Sequence, residues 1–345
     1  MPFNLKAIPV IGLILLVSIV ISIKSVAETP NIKSAISLLE ANNPEDKGTI
    51  IKAMLHEAKV RNDCTRVIID PIYDHNDILH SGRRWLSGFD KYGDDAISIL
   101  QDALEADIMC VRRTAVGILS IIENSEPLPL LIKAMSDADP GVRSLAIGRI
   151  GVLTKIKDWD VDYPITTIID ISKYDEDQEV RRKAITTLRY IQESLPGKIR
   201  SACINGLSDI SDNVKAVSAL CVGRLEAYGA SNLIVNIIIN PDVSIDVKRY
   251  AYFALSKILS SKSDVEFLLN GLKDENYLIR SEVAGAITDR QVRTAIRNIL
   301  YPDSDKEFTK YIISTLKETL KNETNNRAIS SIESYVRMLE SEVNR

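Results

Sequence analysis

The sequence predicts an all-α protein, a right-handed α-solenoid of stacked helical hairpins, from three observations. Its 345 residues exceed the roughly 250–300 at which a single core stops growing, which points to two domains or a stack of repeats. The chain is 45% hydrophobic but only 6% aromatic, a balance that suits helices packed on aliphatic ridges better than a sandwich or barrel. One short pattern also recurs in phase six times along the middle of the chain, and it decides between the two architectures.

The elements follow in chain order. Residues 1–27 hold an uncharged run, Ala7 to Ile23, between Lys6 and Lys24, followed by Ser25-Val26-Ala27 and then polar Glu28-Thr29-Pro30. The run is at the short edge for a membrane helix, and small residues flank Ala27 as they do a signal-peptidase site. The expectation is an export signal cleaved after Ala27, with an uncleaved membrane anchor as the alternative. Either places the remainder in the periplasm, the cell envelope or outside the cell. The segment contains two lysines and no acid, so its removal takes the formal net charge from −4 to −6. An acidic exported chain with only short basic clusters, such as Arg83-Arg84, Arg112-Arg113 and Arg181-Arg182-Lys183, is not built for nucleic acid.

Residues 28–92 are expected to form capping helices and a degenerate repeat, with Ile36, Leu38 and Leu39, then Ile50, Ile51, Met54 and Leu55 at amphipathic spacing. From 93 to 301 the repeat is clear. Val111, Val142, Val180, Val214, Val247 and Ile279 are each followed by a basic residue and lie 31, 38, 34, 33 and 32 residues apart. Four residues beyond each stand Ala115, Ala146, Ala184, Ser218, Ala251 and Val283; eight beyond stand Leu119, Ile150, Leu188, Val222, Leu255 and Ile287. These offsets share one helical face, where the small residue permits close approach and the aliphatic one fills the groove. Five residues before the anchor an aspartate recurs, Asp137, Asp175, Asp209, Asp242 and Asp274, placed to satisfy free amides at the start of the next helix. Second apolar segments, such as Leu128–Met135 and Leu233–Ile239, alternate with the anchored ones, so each unit reads as a helical hairpin that must stack on neighbours.

This D-x4-[VI]-[RK]-x3-A-x3-[LIV] pattern resembles the HEAT repeat, particularly the short type also seen in phycobilisome-lyase subunits. The tetratricopeptide alternative lacks its Trp, Gly, Tyr and Pro positions here. The resemblance implies that Arg112, Arg143, Arg181, Lys215, Lys248 and Arg280 form an architectural ladder with Asp137, Asp175, Asp209, Asp242 and Asp274. Residues 302–345 are expected to close the array as a capping hairpin, with Phe308, Ile312 and Leu316 on one helix and Ile329, Ile332, Tyr335 and Met338 on the other.

The chemistry is sparse. All three histidines, His56, His75 and His80, precede residue 81, which leaves the repeat body without an imidazole. One polar cluster, Asp70, Asp74, His75, Asp77 and His80, has ligand-type side chains, but its spacing matches no defined metal loop and reads more simply as a solvated turn. Cys64 with His75 lacks any orienting third group. Cys203 and Cys221 fall on consecutive antiparallel helices, where they can either bridge or serve as small apolar core residues. Asn322-Glu323-Thr324 fits the glycan acceptor pattern. Tyr250, Tyr252 and Phe253 are expected to be mostly core. No nucleophile elbow, phosphate loop or dinucleotide fingerprint occurs.

The expected function is therefore non-catalytic: an exported scaffold, monomeric alone and without a cofactor, that binds a protein or peptide in a concave groove lined by the second helices. Lys133, Asp170, Lys173 and Asn236 interrupt the apolar stretches there and are the candidate groove residues. The alternatives are an enzyme or accessory subunit of the bilin-lyase or metal-dependent kind, a membrane-anchored assembly factor, and an immunity or inhibitor protein.

Overall fold

The computed structural model describes residues 55, 58, 59, 94–119, 127–154, 162–191, 195–300, 306–324 and 326–343. The expected signal segment and the Asp70–His80 cluster lie outside them. The described residues contain fifteen α-helices and no strand. The chain divides into two compact units between Trp159 and Asp160, within the repeat array.

The first unit holds α1 (Asp94–Leu104), α2 (Met109–Leu119), α3 (Leu128–Ala134) and α4 (Pro140–Leu153). They pair as hairpins α1–α2 and α3–α4, and the anchored helices α2 and α4 pack on each other. The entry to α4 shows how local sequence sets these boundaries. Asp139 has extended backbone and its carboxylate accepts the Val142 amide, while Pro140 opens the helix where its missing N–H costs nothing.

The second unit continues the same construction. It comprises α5 (Asp162–Tyr174), α6 (Gln178–Tyr190), α7 (Pro196–Gly206), α8 (Asp212–Arg224), α9 (Ser231–Ile239), α10 (Ile245–Lys257), α11 (Lys262–Asn270), α12 (Tyr277–Thr288) and α13 (Arg290–Leu300). The anchored helices α6, α8, α10 and α12 pack each on the next, whereas among the intervening helices α5 and α7 meet much less extensively and the others barely at all. The anchored layer is thus the more closely spaced. Gly223 shows why: a Cβ there would lie 2.9 Å from the Cα of Ala254, so α8 and α10 approach to a distance that excludes any side chain. The terminal hairpin, α14 (Lys306–Asn322) with α15 (Asn326–Val343), closes the stack by laying α15 on α12.

The repeat positions are the core. The small residues at the fourth position and the aliphatic ones at the eighth are all 0% exposed in all six copies. Ile312, Leu316, Ile332 and Tyr335 bury the terminal hairpin in the same way. Cys203 on α7 and Cys221 on α8 combine the two roles the sequence left open, being fully buried and joined as a disulfide with a Cα–Cα distance of 5.8 Å. Cys110 is disulfide-bonded as well. Of the aromatic trio, only Tyr252 is buried, and burial pushes its hydroxyl up to about 12; Tyr250 and Phe253 are half-exposed.

Candidate functional site

The polar chemistry of the described residues concentrates in the turns that enter the anchored helices. Arg112 grips Asp137 through two bonds of 2.8 and 3.0 Å, and Arg181 grips Asp209 at 2.7 and 2.9 Å. Each arginine also donates to two carbonyls of its own turn, Ala106 and Asp107 for Arg112, Asp175 and Glu176 for Arg181. A fork that fills both functions ties a turn to the next repeat. The same carbonyl bonds recur at Arg143 and Arg280.

The ladder differs from the expected one in several places. Lys215 pairs with Asp212 on its own helix at 3.1 Å instead of reaching Asp242. The crossing bond at that level comes from the other partner: the Ser244 amide donates to the Asp212 carboxylate at 2.8 Å. Lys248 makes no ion pair with Asp274 or any other described residue. An ammonium, a point charge, cannot span two carbonyls and a carboxylate as the guanidinium fork does, and the ladder changes form at both lysines. Arg280 ends the series on Glu323 at 3.1 Å, in the turn of the terminal hairpin. An additional rung, Arg113 to Asp139 at 2.7 and 3.0 Å, was not anticipated.

The recurring aspartate also acts one step away from the expected place. Asp137, Asp175, Asp209 and Asp274 each accept the amide two residues on, which belongs to the capping residue itself. The caps at these levels are Asp139, Asp177, Ser211 and Asn276. At the remaining level Asn240 accepts the Asp242 amide, the Asp242 side chain is exposed, and the amide of the cap Ser244 goes to Asp212 instead. Burial works to raise the carboxyls of Asp139 and Asp209, but the guanidinium partners and the accepted amides outweigh it and hold both below the ordinary aspartate value. Arg112 and Arg181 are correspondingly raised, chiefly by the bonds to Asp137 and Asp209.

Asp264 forms a second unanticipated network. It accepts Ser231 at 2.6 Å, the amide and hydroxyl of Ser260 at 2.9 Å each, and the Ser261 amide at 3.0 Å. Both oxygens of this buried carboxylate are supplied with donors, and the bonds join the starts of α9 and α11.

The four candidate groove residues are all exposed on intervening helices. Lys133 belongs to the first unit, where it pairs with Glu105. Asp170 and Lys173 lie on α5, and Asn236 lies two hairpins further on, in α9. All four occupy the more widely spaced layer. Among the described residues no group of three His, Cys, Asp or Glu side chains is placed to hold a metal ion. No described helix is long and apolar enough to cross a membrane.

On the anchored layer the solvent face has a different character. Val217 and Leu220 of α8 and Tyr250 and Phe253 of α10 are half-exposed apolar residues at the third and sixth positions after their anchors. Large apolar side chains also stand out at the edges of the second unit, with Tyr163 66%, Tyr174 78%, Tyr190 62%, Ile210 92% and Tyr277 61% exposed.

Hairpins of this grammar, stacked through an arginine–aspartate ladder and closed by a capping pair, define an all-α, HEAT-like repeat protein. No protein-family model and no curated protein matches the sequence. Among solved structures, a Kap121p mutant aligns with a TM-score of 0.53 and 13% identity over 91% of this chain and 36% of that one, so the chain spans about a third of its length. The archaeal HEAT-like repeats protein from Thermococcus onnurineus NA1 aligns at 0.49 with 14% identity, over 72% of this chain and 98% of that one. Computationally designed armadillo repeat proteins for modular peptide recognition align at 0.40 with 14% identity, over 61% and 98%. At these identities the likeness concerns the fold.

Proposed function

We propose that the protein is an exported, non-catalytic repeat scaffold that binds another protein or a peptide, and that the face it offers is the solvent side of the anchored layer in the second unit. The observation that carries this reading is the apolar row Val217, Leu220, Tyr250 and Phe253, flanked by basic side chains. Monomeric surfaces scatter single apolar residues, and a contiguous row with exposed tyrosines at its margins is the composition of an interface core. The closely spaced layer of a two-layer stack lies on the inside of its curvature, so this face is preferred over the intervening helices. A buried disulfide supports export, since such bonds persist in oxidising compartments.

The test is affinity capture by the purified protein from its own envelope fraction, with metal analysis of the same sample. A protein recovered at stoichiometric level and lost with Leu220→Asp is expected. A bound ion or small molecule without a protein partner would shift the function to catalysis or transport. Export is checked by N-terminal sequencing of the mature protein, for which Glu28 is the expected first residue.

A further inference from the structure

Two arginines of the second unit are placed unlike the rest. Arg189 lies in the last turn of α6, with its guanidinium over the Tyr190 ring at 4.8 Å. Arg224 is the last residue of α8, over the Phe253 ring of α10 at 5.8 Å. Neither is paired with a carboxylate among the described residues. Glu226, two residues beyond Arg224, accepts the Tyr228 hydroxyl. A guanidinium on an aromatic face loses little rotamer freedom on binding and keeps its N–H edge for a bidentate acceptor.

The two sites share one level of the stack. Arg189 comes nine residues after Val180 and Arg224 ten after Val214, on adjacent parallel helices. Packed helices lie about 8–10 Å apart, and Arg224 leans from α8 toward α10, away from α6, so the two forks stand further apart than their helix axes. Leu220 and Thr186 lie one turn below them and Phe253 completes the floor. An extended chain advances about 3.3 Å per residue and presents alternate side chains to one face, so carboxylates four positions apart, about 13 Å, reach both forks from one side with the side chain midway between them turned to the floor.

The geometry points to Arg189 and Arg224 as a two-point carboxylate clamp that receives an acidic segment of a partner protein, laid in extended form across α6, α8 and α10 with an apolar side chain on Leu220 and Phe253. The occupant follows from charge: in a chain of net charge −4, the unneutralised donors of this face are cationic forks matched to carboxylates. This assignment rests on the scaffold reading above and adds the chemistry of the partner.

The probe is a fluorescent fifteen-residue peptide of three Glu-Ala-Phe-Ala-Glu units, titrated against the purified protein and followed by anisotropy. Arg189→Gln and Arg224→Gln are each expected to weaken binding about tenfold, with Arg224→Lys recovering only part of the loss. The matching Gln-Ala-Phe-Ala-Gln peptide is expected not to bind. Equal binding by the glutamine peptide, indifference to both substitutions, or absence of binding each overturns the clamp. So does displacement by inorganic phosphate as effective as by unlabelled peptide, which would mark a generic anion site. The two readings fail separately: if the envelope partner is captured equally by wild type and by the double variant, the clamp falls and the scaffold stands. If nothing is captured, both fall.

Discussion

The two edges of the anchored layer in the second unit use charge in opposite ways. At the edge where the anchored helices begin, Asp175, Asp177, Asp209 and Asp212 accept backbone amides, and Asp209 also takes a guanidinium. At the edge where they end, Arg189 and Arg224 rest on aromatic rings with their outer donors unused. Both signs suit the helix dipole, negative at the start and positive at the finish. The difference lies in what surrounds each charge. Arginine is architecture one residue after the anchor, where two carbonyls and a carboxylate converge on it, and it is available nine or ten residues after, where none do.

Acid attacks the first edge as a whole and is expected to give the largest effect. Asp209 and Asp212 titrate below their ordinary value of 3.8 in the folded protein despite burial, because donors surround them. The unfolded chain therefore takes up protons first as pH falls. Their contribution is complete well above 3.8, shrinks as pH drops through that value, and is gone below both folded and unfolded pKa values. Urea midpoints measured between pH 6 and 3 should show this decline, and the Arg189→Gln/Arg224→Gln double variant should follow the same curve.

Among single substitutions, Asp209→Ala should cost most, about 3 kcal/mol, since it leaves the Arg181 side chain, 9% exposed, without its acceptor. Equilibrium denaturation reads it directly, and a loss under about 1 kcal/mol would remove the architectural meaning given to this edge. Lys215→Ala should cost only about 0.5 kcal/mol, because its partner Asp212 is one turn away and both are partly exposed. Arg189→Gln and Arg224→Gln should be the mildest, within about 0.5 kcal/mol of wild type by thermal melting, while changing binding the most. A strong destabilisation by either would move that arginine into the architectural class.

The hairpins, the anchored cores and the closing pair were legible in the sequence because burial imposes a period: all six small and all six aliphatic positions fell where the spacing put them. The ladder was legible only where arginine stood in it. Lys215 and Lys248 occupy equivalent positions in the pattern, yet the crossing bond moved to Asp212, since reach and donor number, not charge alone, decide who bridges. Arg113 read as half of a surface pair, and its partner Asp139 became visible only when the neighbouring turn was folded beside it. Glu323 read as the middle of a glycan pattern, and nothing local reveals that Arg280, 43 residues earlier in the chain, ends there. The pairing of Arg224 with Phe253 likewise depends on Gly223, whose missing side chain sets the distance between α8 and α10.

The bond from Arg280 to Glu323 carries a consequence for how such a chain can lengthen. A turn whose arginine and aspartate both stand in the ladder presents an outgoing donor and an incoming acceptor, so a duplicated hairpin finds its connections waiting where such turns meet, as between Arg181 and Asp209, and lacks them beside Lys215 and Lys248. The last hairpin is different: it receives through Glu323 and covers α12 with α15.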